Sequence, residues 1–261
     1  MMAGMENTSP RPLAILKLGD TFDTLRERRG DFEHWVAAGL GPTRLPVVVV
    51  DPRHGDALPE PGEVAGAVVT GSHAMVTERA AWSEAAGRWL ADLVAAGTPV
   101  LGICYGHQLL ADALGGAAGD HPVGMEAGTV EVSLDSQAAA DALLQGLPQR
   151  FPAHVVHRQS ALRLPEGAVR LAASAFEPTQ AFRVGDNAWG LQFHPEFDAE
   201  AMRGYLDQLA EPLRRQGADP AALREGVAET PAAAGLLARF ARIAEAHEEA
   251  ACAAPATLAL R

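Results

Sequence analysis

Cysteine is scarce in this 261-residue chain: only Cys104 and Cys252 occur. They lie far apart, and neither belongs to a C-x-x-C pair, which excludes a disulfide framework and disfavours structural zinc. Positive charge is also short. Against 33 acidic residues stand 21 basic ones, a net charge of -12, so there is no basic footprint for a phosphate backbone and nucleic acid is not an expected partner. No apolar run approaches the roughly 20 residues that cross a bilayer. The opening MMAGMENTSPRP lacks the basic start and apolar core of a secretion signal. No membrane association is expected, and the expected location is cytoplasmic. Internal repeats, a P-loop and a G-x-G-x-x-G after a strand are all missing, so a nucleotide site has no support. His73 and His107 form no metal-ligand pattern with a third donor, and no metal or cofactor is expected.

What is present is ordinary for a globular protein, with 48% hydrophobic and 21% charged residues. PLAILKL (12–18) reads as a buried strand entering a loop at Gly19, followed by a helix-compatible stretch over 22–38 with Phe22, Leu25, Phe32, Trp35 and Val36 as its inner face. LPVVVVD (45–51) reads as a second buried strand. GAVVTGS (66–72), a helix over about 78–96 closed by Gly97, TPVLGIC (98–104) and a helix through YGHQLLADALGG complete the pattern. Strand and helix alternate four times, which predicts an α/β fold with an open, mainly parallel sheet flanked by helices. Beyond Gly128 the segments GTVEVSL, HVVHRQ, VRLAAS, TQAFRV and AWGLQFH are short and β-like, predicting antiparallel strands added to that sheet. The run from Asp198 to about Gln216 reads as helix. The Ala-rich tail beyond Ala210 reads as packing or association, helical to about Ala250 and frayed after it.

Chemistry concentrates at G-I-C-Y-G. A strand enters Cys104, a helix leaves it, and Gly102 and Gly106 stand two residues to either side. This is the cysteine form of a nucleophile elbow: a tight strand-to-helix turn projects the side chain, the glycines remove colliding atoms, and the helix N-terminus favours thiolate and offers N–H donors to an oxyanion. Without the glycines such a cysteine is a buried core residue. A thiolate nucleophile needs a base that later protonates the leaving amine. His194 suits, since it ends the strand-like AWGLQFH, precedes Pro195, and has Glu196 two residues on to orient it. His-Pro-Glu alone also reads as a turn.

G-I-C-Y-G-H-Q together with Q-F-H-P-E-F resembles the class I glutamine amidotransferases, especially the amidotransferase domain of GMP synthase, over roughly residues 12–205. The resemblance implies a flavodoxin-like architecture and one domain over 1–261, with its core at about 12–205 and a helical extension at about 206–261. It implies Cys104 as nucleophile, His194 as base and Glu196 as the orienting carboxylate. The amides of Ser72, beside Gly71, and Tyr105 would form the oxyanion hole, and Gly71, Gln108, Arg158 and Gln159 would hold the substrate. Val156 and Arg158 depart from the small polar residue and glycine that flank the histidine of V-V-H-R-Q-S-A-L in many members, which leaves glutamine and another γ-glutamyl compound both open. The implied activity is release of ammonia from the glutamine amide through a γ-glutamyl thioester, and the possible acceptor is a separate synthetase subunit. A γ-glutamyl peptidase or amide hydrolase acting alone is the alternative, and the third reading is a non-catalytic regulatory subunit.

Overall fold

A computed structural model describes residues 9–253. The chain runs β1 (Leu13–Leu16), α1 (Asp23–Arg29), α2 (Phe32–Leu40), β2 (Val47–Val50), β3 (Gly66–Val69), α3 (Ala81–Ala95), β4 (Val100–Ile103) and α4 (Tyr105–Ala113). It continues through β5 (Ala117–Asp120), β6 (Glu126–Leu134), β7 (Arg150–His157), β8 (Gln159–Arg163), β9 (Val169–Ala173), β10 (Ala181–Val184) and β11 (Ala188–Leu191). The last helices are α5 (Ala199–Gln208), α6 (Ala210–Arg215), α7 (Pro220–Glu225) and α8 (Pro231–Ala253).

Nine strands form one sheet in the order β2-β1-β3-β4-β11-β10-β9-β6-β7, and β5 pairs with β8 in a separate two-stranded sheet. Strands β2, β1, β3, β4 and β11 run parallel, while β10, β9, β6 and β7 are antiparallel to their neighbours. The mainly parallel α/β fold with added antiparallel strands is as the segment pattern predicts, except that AWGLQFH, expected among the antiparallel strands, forms β11 and runs parallel to β4. Its central strands read as continuous apolar runs because both faces are covered: β1, β3, β4 and β11 are buried along their whole length.

Further expectations change. Strand β2 is not interior but lies at the sheet edge, where Val47, Val48 and Val49 are 39%, 38% and 47% exposed. Between β2 and β3 there is no α-helix, only two short 3-10 turns at Pro52–His54 and Pro61–Glu63, so one alternating unit lacks its crossover helix. The single helix expected over 22–38 is two helices divided at Gly30-Asp31. Gly30 has φ +79, and Asp31 starts α2 with its side chain accepting from the Phe32 amide in a box closed by His34.

The tail holds three helices joined by short turns, and α8 stays helical to Ala253, past the point near Ala250 where fraying is expected; residues 254–261 lie outside the described residues. Its long helix α8 lays Leu236, Leu237, Phe240, Ala241 and Ala244 into the same apolar cluster as Leu13, Ile15, Val68, Leu101 and Leu191 of the sheet. A second cluster on the opposite sheet face gathers Ala14, Leu16, Val69, Val100 and the inner residues of α3 and α4. A third surrounds Phe32, Phe197, Met202 and Tyr205, beyond the strand ends.

Candidate active site

Strands β3, β4 and β11 are adjacent and parallel, so their carboxyl ends open at the same edge of the sheet. Just past those ends come Gly71-Ser72, Cys104 and His194 respectively. An open α/β sheet binds its ligand at this edge. Three sequence segments that lie far apart are thus delivered to one place by pairing alone.

Cys104 has φ +50 and ψ -96, and Arg79 is the one other described non-glycine residue at positive φ. Such a conformation costs about 1–3 kcal/mol and persists only where its surroundings enforce it. Here the Cys104 amide donates to the Leu191 carbonyl at 2.8 Å, and α4 begins at once with Tyr105. A Cβ on Gly102 would collide with the Gly106 backbone and come within 2.8 Å of the His107 amide nitrogen; one on Gly106 would lie 2.7 Å from the Val69 carbonyl. Both expected glycines are therefore required by close backbone approach. The same holds for Gly19, which the sequence marked only as the end of a strand: a Cβ there would lie 2.5 Å from Ser72 Cα. The loop after β1 backs the loop that carries Ser72.

His194 is held from several sides. Its amide donates to the His154 carbonyl at 2.8 Å, its ring stacks on Phe197 with centroids 4.2 Å apart, and Nδ1 lies 2.7 Å from Glu196 Oε1. The strand itself stops at Leu191, three residues earlier than the run AWGLQFH suggests. The Nε2 atom is buried without a partner of its own. A Cβ built on Gly71 would lie 3.3 Å from His194 Cε1 and 3.9 Å from Cys104 Cβ, so the backbone after β3 passes close to both side chains. Burial works against charge on the ring, but the Glu196 carboxylate and the Cys104 sulfur outweigh it and raise the His194 pKa to about 10. The sulfur also lies 3.4 Å from the Val156 carbonyl, which accepts from the thiol.

The neighbouring histidines stay neutral for a different reason. Burial, then repulsion from His194, lowers His154 to about 4. Burial lowers His107 to about 3 beneath β11, where its ring meets Phe182. His73 is lowered by the same two causes as His154, and its Nε2 lies 3.2 Å from the Tyr205 hydroxyl, itself 3.0 Å from Thr21 Oγ1. Among the described residues no three His, Cys, Asp or Glu side chains gather as a metal would need.

A cleft of about 320 Å³ opens over Cys104 and is lined by, among others, Ser72, Tyr105, Gln108, Arg158 and Gln159. Gln108, Arg158 and Gln159 thus line one cleft, though not all as free groups, whereas Gly71 is not among its lining residues. The Gln108 amide nitrogen donates to the Gln159 carbonyl at 2.6 Å and to Gln192 at 3.1 Å. The Gln159 amide turns away to Thr77 and Asp120. Arg158 is exposed at the rim beside Asp120. The Tyr105 amide lies at the first turn of α4, where helix geometry leaves an N–H without an internal partner. Its ring is buried, with the hydroxyl 2.6 Å from Ser83 Oγ and its pKa raised by burial to about 12.

Two contacts were not foreseen, although His157 belongs to the family-like segment V-V-H-R-Q-S-A-L. Buried His157 bridges Glu126 (2.9 Å) and the Gln159 carbonyl (3.0 Å), bracing the segment that Gln108 also holds. Gln216, in the tail set aside as packing, clamps the Met125 backbone at both its amide (3.1 Å) and its carbonyl (2.6 Å).

Residues 29–208 match the family model "Glutamine amidotransferase class-I". The chain belongs to the class I glutamine amidotransferases. Within that family it is 36% identical over 163 residues to the glutamine-hydrolysing GMP synthase of Aeropyrum pernix, covering 60% of this chain and 30% of the synthase. It is 34% identical over 115 residues to a glutamine-hydrolysing GMP synthase subunit of Archaeoglobus fulgidus (42% of this chain, 61% of that protein). It is also 30% identical over 112 residues to γ-glutamyl peptidase 5 of Arabidopsis thaliana (42% and 45%). The chain spans less than a third of the length of the GMP synthases of Aeropyrum pernix and Leifsonia xyli that it matches, 30% and 26%. A solved glutamine amidotransferase of Methylobacillus flagellatus superposes with TM-score 0.69 at 26% identity, covering 93% of this chain and 95% of its own.

Proposed function

We propose that this class I amidotransferase hydrolyses the γ-amide of a γ-glutamyl group, glutamine being the simplest such substrate, through a thioester on Cys104. The observation that carries the reading is the strained Cys104 backbone at the head of α4 with the Glu196-bound imidazole of His194 against it. The Cys104 thiolate attacks the amide carbon, and the oxyanion settles between the Ser72 and Tyr105 amides. His194 protonates the departing nitrogen; neutral again, it takes a proton from the water that cleaves the thioester, expelling the Cys104 thiolate and releasing glutamate with the imidazolium restored. Gln108, Gln159 and Arg158 lie on the side that would hold the glutamyl end. Retention of nucleophile, base and orienting carboxylate argues against a purely regulatory scaffold.

The likeness to a GMP synthase subunit supports glutamine as substrate, with ammonia passed to a synthetase partner. The likeness to a γ-glutamyl peptidase supports hydrolysis without one, and the apolar character of part of the cleft favours this second reading. The test is glutamate release by the whole chain with Cys104→Ala and Cys104→Ser beside the wild type. Both substitutions should remove release entirely, and wild-type rates in either variant would overturn the assignment.

A further inference from the structure

The departing nitrogen of the amide takes its proton from His194, so whatever that nitrogen carries must lie on the His194 side of the cleft. That side is made differently from the other. His194 stacks on Phe197, and Phe197 meets Tyr205 at 4.8 Å. Both belong to the apolar cluster that continues through Met202, Leu206 and Leu213. Phe22, Met125, Val156 and Leu209 pack against this cluster while only partly buried, and all four line the cleft. The two polar side chains there are committed to each other, His73 Nε2 lying 3.2 Å from the Tyr205 hydroxyl. Among the described residues, the single permanently charged one lining the cleft, Arg158, is exposed and paired with Asp120.

Ammonia gains nothing from such a wall, and a leaving amino acid would bring a carboxylate to a surface whose one cation, Arg158, already pairs with Asp120. Half-exposed apolar side chains around a cavity instead reward the removal of hydrocarbon from water. The wall is also built deliberately: Met125 is fixed by both hydrogen bonds from Gln216, and Leu209 joins α5 to α6. Resting on the γ-amide hydrolysis described above, we infer that the substrate is a γ-glutamyl amide whose nitrogen bears an uncharged aliphatic or aromatic substituent. The thiolate attacks its amide carbon, the C–N bond breaks as His194 supplies the proton, and the products after hydrolysis are glutamate and a free apolar amine.

Glutamate release by the whole chain is compared for glutamine, γ-glutamylglycine, γ-glutamylisopentylamide and γ-glutamylanilide. The isopentylamide is included because aniline is intrinsically the easier leaving group. Burying several methylene-sized groups should give the isopentylamide and the anilide a kcat/KM at least about tenfold above glutamine and γ-glutamylglycine. In Met125→Gln and Leu209→Asp the ratio of isopentylamide to glutamine should drop by about tenfold; the first keeps a similar volume without a charge, in case the second weakens folding. Glutamine hydrolysed as well as the isopentylamide, or γ-glutamylglycine preferred, would overturn this inference and leave the Cys104 reading standing. Release from none of the four would overturn both.

Discussion

At the scale of single residues, the site turns on how firmly the His194 proton is held. His194 is buried, which by itself would strip its proton, yet Glu196 and Cys104 hold the proton on it. Because its pKa is raised from 6.5 to about 10, the imidazolium persists through neutral pH and is lost only in alkali. The hydrolysis rate should therefore hold between about pH 7 and 8 and decline on an alkaline limb near 10. A decline with midpoint near the ordinary histidine value, measured as kcat/KM against pH, would show that the pair is not formed. Glu196→Gln keeps the shape and removes the charge. It should lower kcat by about 10² to 10⁴-fold, as when the orienting carboxylate of a triad is neutralised, and move the alkaline limb to lower pH. A loss in kcat with the limb unmoved would mean that Glu196 acts by position alone.

At the scale of elements, the turn between β4 and α4 leaves no room for a Cβ at Gly102. Gly102→Ala should cost about 2 kcal/mol or more through overpacking against backbone, read as a lower midpoint in urea. Gln216→Ala should cost at most about 1 kcal/mol while raising KM several-fold, since it frees the Met125 wall without touching Cys104. An unchanged KM would show that the wall stands unaided. These two positions also mark what a sequence can and cannot reveal. The elbow was legible because its demands are local: apolar run, glycine, cysteine, glycine, amphipathic helix. His194 and Glu196 were legible from a strand-like run halted by Pro195 together with a family resemblance. The Gln216 clamp was not, because its partner lies 91 residues away and a glutamine after a helix carries no mark of what it will meet. The β5–β8 pair and the role of Gly19 were hidden likewise, being settled only when distant segments come together.

At the scale of the whole molecule, the sheet is sealed on one face by α8 and on the other by α3 and α4. Phe240 is fully buried in the first of these cores. Phe240→Ala should therefore destabilise the fold by about 3–5 kcal/mol, and a denaturation midpoint within error of wild type would show that α8 is a dispensable appendage. The order of strands could not be read in advance, since four interchangeable valines describe a central strand as well as an outer one. Their placement at the rim has a colloidal consequence. Strand β2 offers an unpaired row of backbone groups flanked by half-wet valines, with neither lysine nor bulge within it to discourage a second chain. Concentrated solutions should accordingly lose monomer over time through edge-to-edge pairing, and Val48→Lys should slow that loss in light scattering while leaving hydrolysis intact.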